Sequence, residues 1–236
     1  MLWIDNDRFD PPWNIAAEEH LLTTRREPVA MLWRNSRSVI IGKNQDLEAE
    51  VDTALAEEFR IPVVRRLTGG GTVFHDLGNV NYTYIFTFDG KHEMDFAPFA
   101  GRLIAALEQM GVTAELSGRN DILVDGKKIS GCAHACAGNR AIYHGTLLFS
   151  ADLSQMERLI RFSEEKYRGR GIKSVSSRVE NLSNLLPDID VETFMARLRA
   201  LLSGGCTRYS FSESDIAAID RLRKEKYTNP NWTEVR

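Results

Sequence analysis

Two arginines followed at once by three glycines, in Arg65-Arg66-Leu67-Thr68-Gly69-Gly70-Gly71, are the residues of this chain best suited to hold an anion. Guanidinium groups pair with carboxylate or phosphate oxygens, and backbone N–H groups left bare by glycine can bond to the same ligand. A surface turn with solvated charges is the plainer alternative. One glycine would serve a turn, whereas three in a row weaken both flanking segments, so the pattern favours binding.

Four further groups could do chemistry. His75 and Asp76 are adjacent and could form an orienting pair, although a satisfied structural histidine is the commoner outcome. Lys127 and Lys128 follow Asp125-Gly126, a strong hairpin signal, and alternation points them to opposite faces of one strand. The one held inward would be a fixed cation for a developing negative charge, while a pair on a solvated edge would do nothing. Asn120-Asp121 offers an amide and a carboxylate for Mg²⁺ or a ribose, or simply a cap or turn. Cys132-Ala-His134-Ala-Cys136 shares one strand face, but three ligands with no second Cys or His pair nearby make a poor zinc site. A thiol nucleophile at Cys132 or Cys136, beside His134 or His144, is the rival reading of that stretch.

The elements that must position these groups are legible in outline. Ile61–Arg66 and Val73–Phe88 are rich in β-branched and aromatic residues, predicting strand, Gly-rich loop, strand. No helix follows the glycines, which excludes the P-loop and the dinucleotide fingerprint. Asn14 is expected to cap a helix through Glu27 that carries Glu18, Glu19 and His20. Val29–Trp33 and Ser38–Ile41 read as a strand pair around Arg34–Arg37, the second running into Gly42-Lys43-Asn44-Gln45 as a turn or binding edge. Helical spacing marks Val51–Arg60, Ala97–Met110, Leu153–Phe162, Val191–Leu202 and Asp215–Tyr227; strands are expected at Ile122–Val124, Lys127–Ser130 and Ile142–Phe149. Lys166–Lys173 is basic, Gly-rich and read as a mobile loop.

Composition bounds the function. The chain has 236 residues and a formal net charge of -3, which supplies no basic excess for nonspecific nucleic-acid binding, so no nucleic-acid partner is expected. There is neither a secretory n- and h-region nor a stretch approaching the roughly 20 apolar residues of a membrane span, so a cytoplasmic protein without a membrane partner is expected. Three cysteines give no disulfide framework.

Taken in order, these motifs resemble the lipoate-protein ligase A family. The carriers are Asn14-Ile-Ala-Ala-Glu18-Glu19, Ser38–Gln45, Arg65–Asn79, Gly118–Ile122, Lys128–Gly131, His144–Leu148 and Lys173–Leu182, which together cover nearly the whole chain. The resemblance implies an α+β catalytic domain of the biotin and lipoate ligase type, with a mixed, mainly antiparallel sheet flanked by helices over residues 1–236. It also implies a two-step reaction. Lipoate and ATP with Mg²⁺ give lipoyl-adenylate and pyrophosphate, and a carrier lysine then takes the acyl group and releases AMP. The acceptors implied are lipoyl carrier domains, such as 2-oxoacid dehydrogenase E2 subunits or the glycine cleavage H protein.

By the same resemblance, Lys128 is the catalytic lysine, with Lys127 its outward neighbour, and Asp121 holds Mg²⁺. Lipoate and ATP fall to Arg66, Thr68, Gly70, Gly71 and Thr72 on the loop, and to His75 and Asn79 just after it. Across the cleft they fall to Asn120, Asp121, Gly131 and Ala133, and to His144, Gly145 and Thr146. Val73 and Ile85 are candidates to face the dithiolane chain, and Lys166–Lys173 to close over adenylate. Full-length relatives continue into a small accessory domain, whereas this sequence stops nine residues after Tyr227. The resemblance therefore leaves room for a separate accessory protein, for an octanoyl or lipoyl transferase, or for a non-catalytic binding protein. The family's transferases carry their nucleophilic cysteine near the position of Ser117, where this chain has none.

Overall fold

The computed structural model describes residues 1–88, 96–118, 120–161 and 179–234. Strands are β1 (Leu2–Asp5), β2 (Val29–Trp33), β3 (Ser38–Ile41), β4 (Val63–Arg65), β5 (Val73–His75), β6 (Asn79–Thr87), β7 (Glu115–Ser117), β8 (Asp121–Val124), β9 (Lys127–Ala137), β10 (Arg140–Leu148) and β11 (Thr207–Ser210). Helices are α1 (Pro11–Thr24), α2 (Leu47–Glu50), α3 (Thr53–Glu58), α4 (Ala97–Gln109), α5 (Leu153–Leu159), α6 (Val191–Leu202), α7 (Glu213–Leu222) and α8 (Pro230–Thr233).

Eight strands form the main sheet in the order β11-β1-β2-β6-β10-β9-β8-β7, parallel about β1 and antiparallel elsewhere. The expected mixed, mainly antiparallel α+β architecture is what forms. Alternation along β6 divides the core. Val80, Tyr82 and Tyr84 face the cluster containing Leu103 and Leu107 of α4 and Phe194 and Leu198 of α6. On the other face Ile85 joins Met31 and Trp33 beneath α1. Ile85 is thus covered by helix and is not available to a ligand, a correction to the sequence reading.

A second sheet, ordered β4-β3-β5, packs beside the first. Here two sequence expectations are revised, the pairing of β2 with β3 and the cap of α1. β2 and β3 form as strands but do not pair with each other, because the link between them is buried: Asn35 is held by Asn14 and His75, and Arg34 Nη1 donates to the Leu77 carbonyl at 2.9 Å. The strands flanking the glycines do not pair either; both flank β3, so the Gly-rich loop crosses its end. Helix α1 begins before Asn14, at Pro11, because Asp10 Oδ1 accepts from Trp13 N at 3.1 Å and proline suits the first helical turn. Asn14 instead lies inside α1 and donates to the carbonyls of Arg8 and Arg34.

The Asp125-Gly126 hairpin is as expected, with φ of 49° and 73° at its two turn residues. The short strands β1, β7 and β11 carry too little alternation to have been read from sequence. Lys166–Lys173 lies outside the described residues.

Candidate active site

A cavity of about 1040 Å³ opens between the two sheets. Its floor crosses the main sheet from β2 to β8 through register pairs. Trp33 lies opposite Asn81, Asn81 opposite Thr146, Gly145 opposite Cys132, and Gly131 opposite Asp121. The three interstrand steps from β6 to β8 span about 14 Å. The Asn81 end is apolar, lined by Ile15, Trp33, Ile40, Phe74 and Leu148, and the Asp121 end is charged.

At the charged end, Lys128 Nζ sits 2.8 Å from Asp121 Oδ1, with both side chains only partly exposed. Gly131 makes this placement possible, since a Cβ there would lie 2.9 Å from Lys128 Cε and 3.0 Å from its Nζ. Lys127, at the rim, turns to Glu180 at 2.5 Å. Asn120, Asp121, Gly131 and Ala133 all line the cavity, as do His144, Gly145 and Thr146.

The opposite wall is the Gly-rich loop. Gly70, Gly71, Thr72 and Val73 line the cavity, and Gly70 has φ of 91°, a conformation that favours glycine. Neither arginine offers its fork freely to a ligand, which corrects the sequence reading. Arg65 donates to the carbonyls of Gly42, Lys43 and Gln45 on one side and of Trp232 and Thr233 on the other, joining a turn to the C-terminal segment behind the loop. Arg66 lines the cavity, but Nη2 donates to Gly69 O at 2.6 Å and Gly71 O at 2.7 Å, and Nη1 to Ile40 O at 3.1 Å. Burial lowers its pKa to about 10 against the opposing pull of Glu18.

Arg66 is held in turn by a buried relay that sequence reasoning did not assemble. Arg66 Nε donates to Thr68 Oγ1, and Thr68 Oγ1 lies 2.8 Å from His144 Nε2. His144 Nδ1 lies 2.9 Å from Glu18 Oε1. Glu18 also accepts from Thr83 Oγ1 at 2.6 Å, which itself accepts from Trp33 Nε1. The Glu18 carboxylate can only accept, which assigns the His144 proton to Nδ1, facing Glu18, and leaves Nε2 to accept from Thr68 Oγ1. Thr68 is therefore a support for the wall and not part of its lining, because its hydroxyl is consumed within the relay. Asn79 likewise lies beneath the surface, its amide donating to Asn81 Oδ1.

His75 does not pair with Asp76. Its Nδ1 lies 3.0 Å from Asn35 Nδ2, while Asp76 accepts from the backbone of Gly78 and Asp152. Burial first, then the charges of Arg66 and His144, push the His75 pKa down to about 3. Cys132 lines the cavity with its thiol raised to about 11 by burial, His134 packs on Phe96 at 4.6 Å, and Cys136 is exposed. Among the described residues no three His, Cys, Asp or Glu side chains gather as a metal-ligand set. Trp33, Asn81 and Glu18 are the site residues that sequence reasoning missed. The Asn79-Val80-Asn81 alternation was the one available signal, since two amides on a single strand face are unusual in a core.

The family described as Lipoyl protein ligase A/B catalytic domain matches residues 10–203. Lipoate-protein ligase LplJ of Bacillus subtilis is 41% identical over 98% of this chain and 73% of its own length. Lipoate–protein ligase 1 of Staphylococcus aureus is 36% identical over the same shares. A solved structure from Thermoplasma acidophilum superposes with a TM-score of 0.85 at 26% identity, covering 100% of this chain and 96% of the other; it is described as a bi-partite lipoate protein ligase and its E2 lipoyl domain.

Proposed function

The chain belongs to the Lipoyl protein ligase A/B catalytic domain family, and on that premise we propose that its cavity activates lipoate with ATP and delivers the acyl group to a carrier lysine. The observation that carries this reading is the continuity of the cavity. An apolar chamber long enough for a medium-length acyl chain ends at a fixed lysine, with a Gly-rich loop alongside.

The acyl chain lies along the sheet floor with its carboxylate at Lys128. A carboxylate oxygen bonds to the α-phosphorus of ATP as the bond to the leaving pyrophosphate breaks. Lys128 offsets the repulsion between the two anions and stabilises the charge that builds on the phosphoryl oxygens. The amides of Gly70, Gly71 and Thr72 line the phosphate side, and Asn120 the ribose side. Arg66 contributes the shape of the loop more than a free fork. In the second step the carrier's ε-amine attacks the acyl carbon, the C–O bond to AMP breaks, and the amine proton leaves to solvent or phosphate.

Asp121 is a single carboxylate already paired with Lys128. That suits Mg²⁺ brought in on the nucleotide, which needs only one or two carboxylates beside phosphate oxygens. Bound there, the ion would neutralise phosphate charge. A thioester route is disfavoured, because a thiol held near pKa 11 supplies little thiolate at Cys132.

The Thermoplasma relative's description supports a lipoyl carrier domain as acceptor. That none of the three cysteines forms a disulfide among the described residues fits a cytoplasmic location, and no described helix is long and apolar enough to cross a membrane. The test is incubation of the purified chain with lipoate, MgATP and an unmodified lipoyl domain, with and without a candidate accessory protein. The expected result is a mass gain of one lipoyl group with AMP release. Gain only from an octanoyl-carrier protein, without ATP, would overturn the proposal.

A further inference from the structure

The Gly-rich loop is braced from behind by α8. This helix is four residues long and is capped by Asn229, whose Oδ1 accepts from Asn231 N at 3.0 Å. So short a helix leaves its last carbonyls without partners of its own, and they carry the negative end of its dipole. Arg65, 1% exposed, meets them: Nη2 donates to Thr233 O at 2.7 Å and Nε to Trp232 O at 3.1 Å. Trp232 Nε1 donates back to Arg65 O at 2.8 Å, so each side chain holds the other's carbonyl. The indole is itself held from the far side. Lys226 Nζ stands 4.2 Å over its ring, Tyr227 meets it edge-on, and both of those residues bond to Glu19 of α1.

From Arg65 the contact passes to the loop. Nη1 donates to the carbonyls of Gly42 and Gln45 at 2.9 and 2.7 Å, fixing the turn that precedes α2. That turn touches the loop in three ways. Lys43 N donates to Thr68 O at 2.8 Å, Gln45 Oε1 accepts from both Gly42 N and Thr72 Oγ1, and a Cβ on Gly42 would stand 2.2 Å from Gly70 O. A buried guanidinium is costly unless its donors are met, and here backbone from both sides meets them, which fixes the one side against the other. We propose that α8 sets the Gly-rich loop for ATP, with Trp232 a positioning residue that acts through Arg65 and the turn on Gly70 and Thr72. The proposal rests on the ligase reading for its substrate and on these bonds for its mechanism. The acyl chamber at Ile15, Trp33 and Leu148 lies outside this chain of bonds, so ATP and lipoate should respond differently to its loss.

Trp232→Phe, checked for folding by thermal melting, keeps a ring between Lys226 and Tyr227 and removes the N–H that reaches Arg65 O. Adenylate formation is followed by pyrophosphate release with ATP and lipoate varied in turn. KM for ATP should rise about fivefold, as for one lost hydrogen bond, with KM for lipoate within about twofold of the wild type. Gln45→Leu, which cuts the link to Thr72, should raise the same constant, and the double variant should show less than the product of the two effects. Hydrogen exchange, which needs no turnover, should quicken about tenfold in Trp232→Phe at the Lys43 and Arg66 amides, whose acceptors are Thr68 O and Ile41 O, and stay unchanged in the β8–β9 hairpin. An unchanged KM for ATP, equal rises in both KM values, or wild-type exchange at those two amides would overturn the proposal. Failure of the wild type to form adenylate would instead overturn the ligase reading, and exchange at the two amides would still decide whether α8 holds the loop.

Discussion

The two walls of the cavity are held by different means. The Gly-rich loop is anchored by a buried relay from Trp33 and Glu18 through His144 and Thr68 to Arg66, in which the bonded side-chain groups are dry. The hairpin wall offers Lys128 and Asp121, an ion pair whose side chains are 27% and 37% exposed, on a strand held by an ordinary two-residue turn. One wall is fixed before any ligand arrives; the other keeps its charges accessible, so they can exchange partners. Damage to the first is therefore expected as lost stability, and damage to the second as lost chemistry.

The largest effect tests the second wall. Lys128→Ala should lower adenylate formation by about 10²- to 10³-fold with little change in the thermal midpoint, as expected for loss of a transition-state charge partner. A matching loss of stability would erase the contrast between the walls. Glu18→Ala tests the first wall: the protons of His144 Nδ1 and Thr83 Oγ1 lose their acceptor, and urea unfolding should show about 3 kcal/mol of destabilisation. A cost near zero would mean that the relay does not anchor the loop.

A milder test uses pH. Because the folded pKa of His75 is lowered to about 3, the unfolded chain binds a proton below about pH 6.5 that the folded chain refuses. Stability from this group is present above pH 6.5 and is lost as pH falls toward 3, amounting to about 2 kcal/mol between pH 7 and pH 5. His75→Gln should flatten that part of the stability profile relative to the wild type, and parallel profiles would refute the assignment. The smallest effect is expected at Lys127→Ala, since the half-exposed Lys127–Glu180 pair is worth less than about 1 kcal/mol. Most adenylation should survive; a loss equal to that of Lys128→Ala would show that the two lysines are not distinguished by the strand.

Each wall was legible in the sequence to a different degree. The hairpin wall was readable because its signal is local. Asp125-Gly126 fixes the turn, the turn fixes the strand pairing, and alternation separates Lys127 from Lys128. The loop wall was readable as a glycine run, but the task of its arginines was misjudged. Whether a guanidinium faces ligand or carbonyl oxygen depends on which backbone folds around it, and Ile40, Gly42 and Trp232 are distant from Arg65 and Arg66 in the chain.

The sequence by itself determined the strand–glycine–strand segment, the lysine hairpin and the core helices α4 and α6, because each rests on turn chemistry or periodicity within a few residues. Only the tertiary structure decided that β2 and β3 belong to different sheets, that Glu18 meets His144 across 126 positions, and that Asn81 and His75 each keep a buried polar atom without a partner among the described residues. Those facts rest on partners remote in sequence. A buried polar atom is satisfied or left open by whichever distant group the fold brings to it, and no local pattern records that outcome.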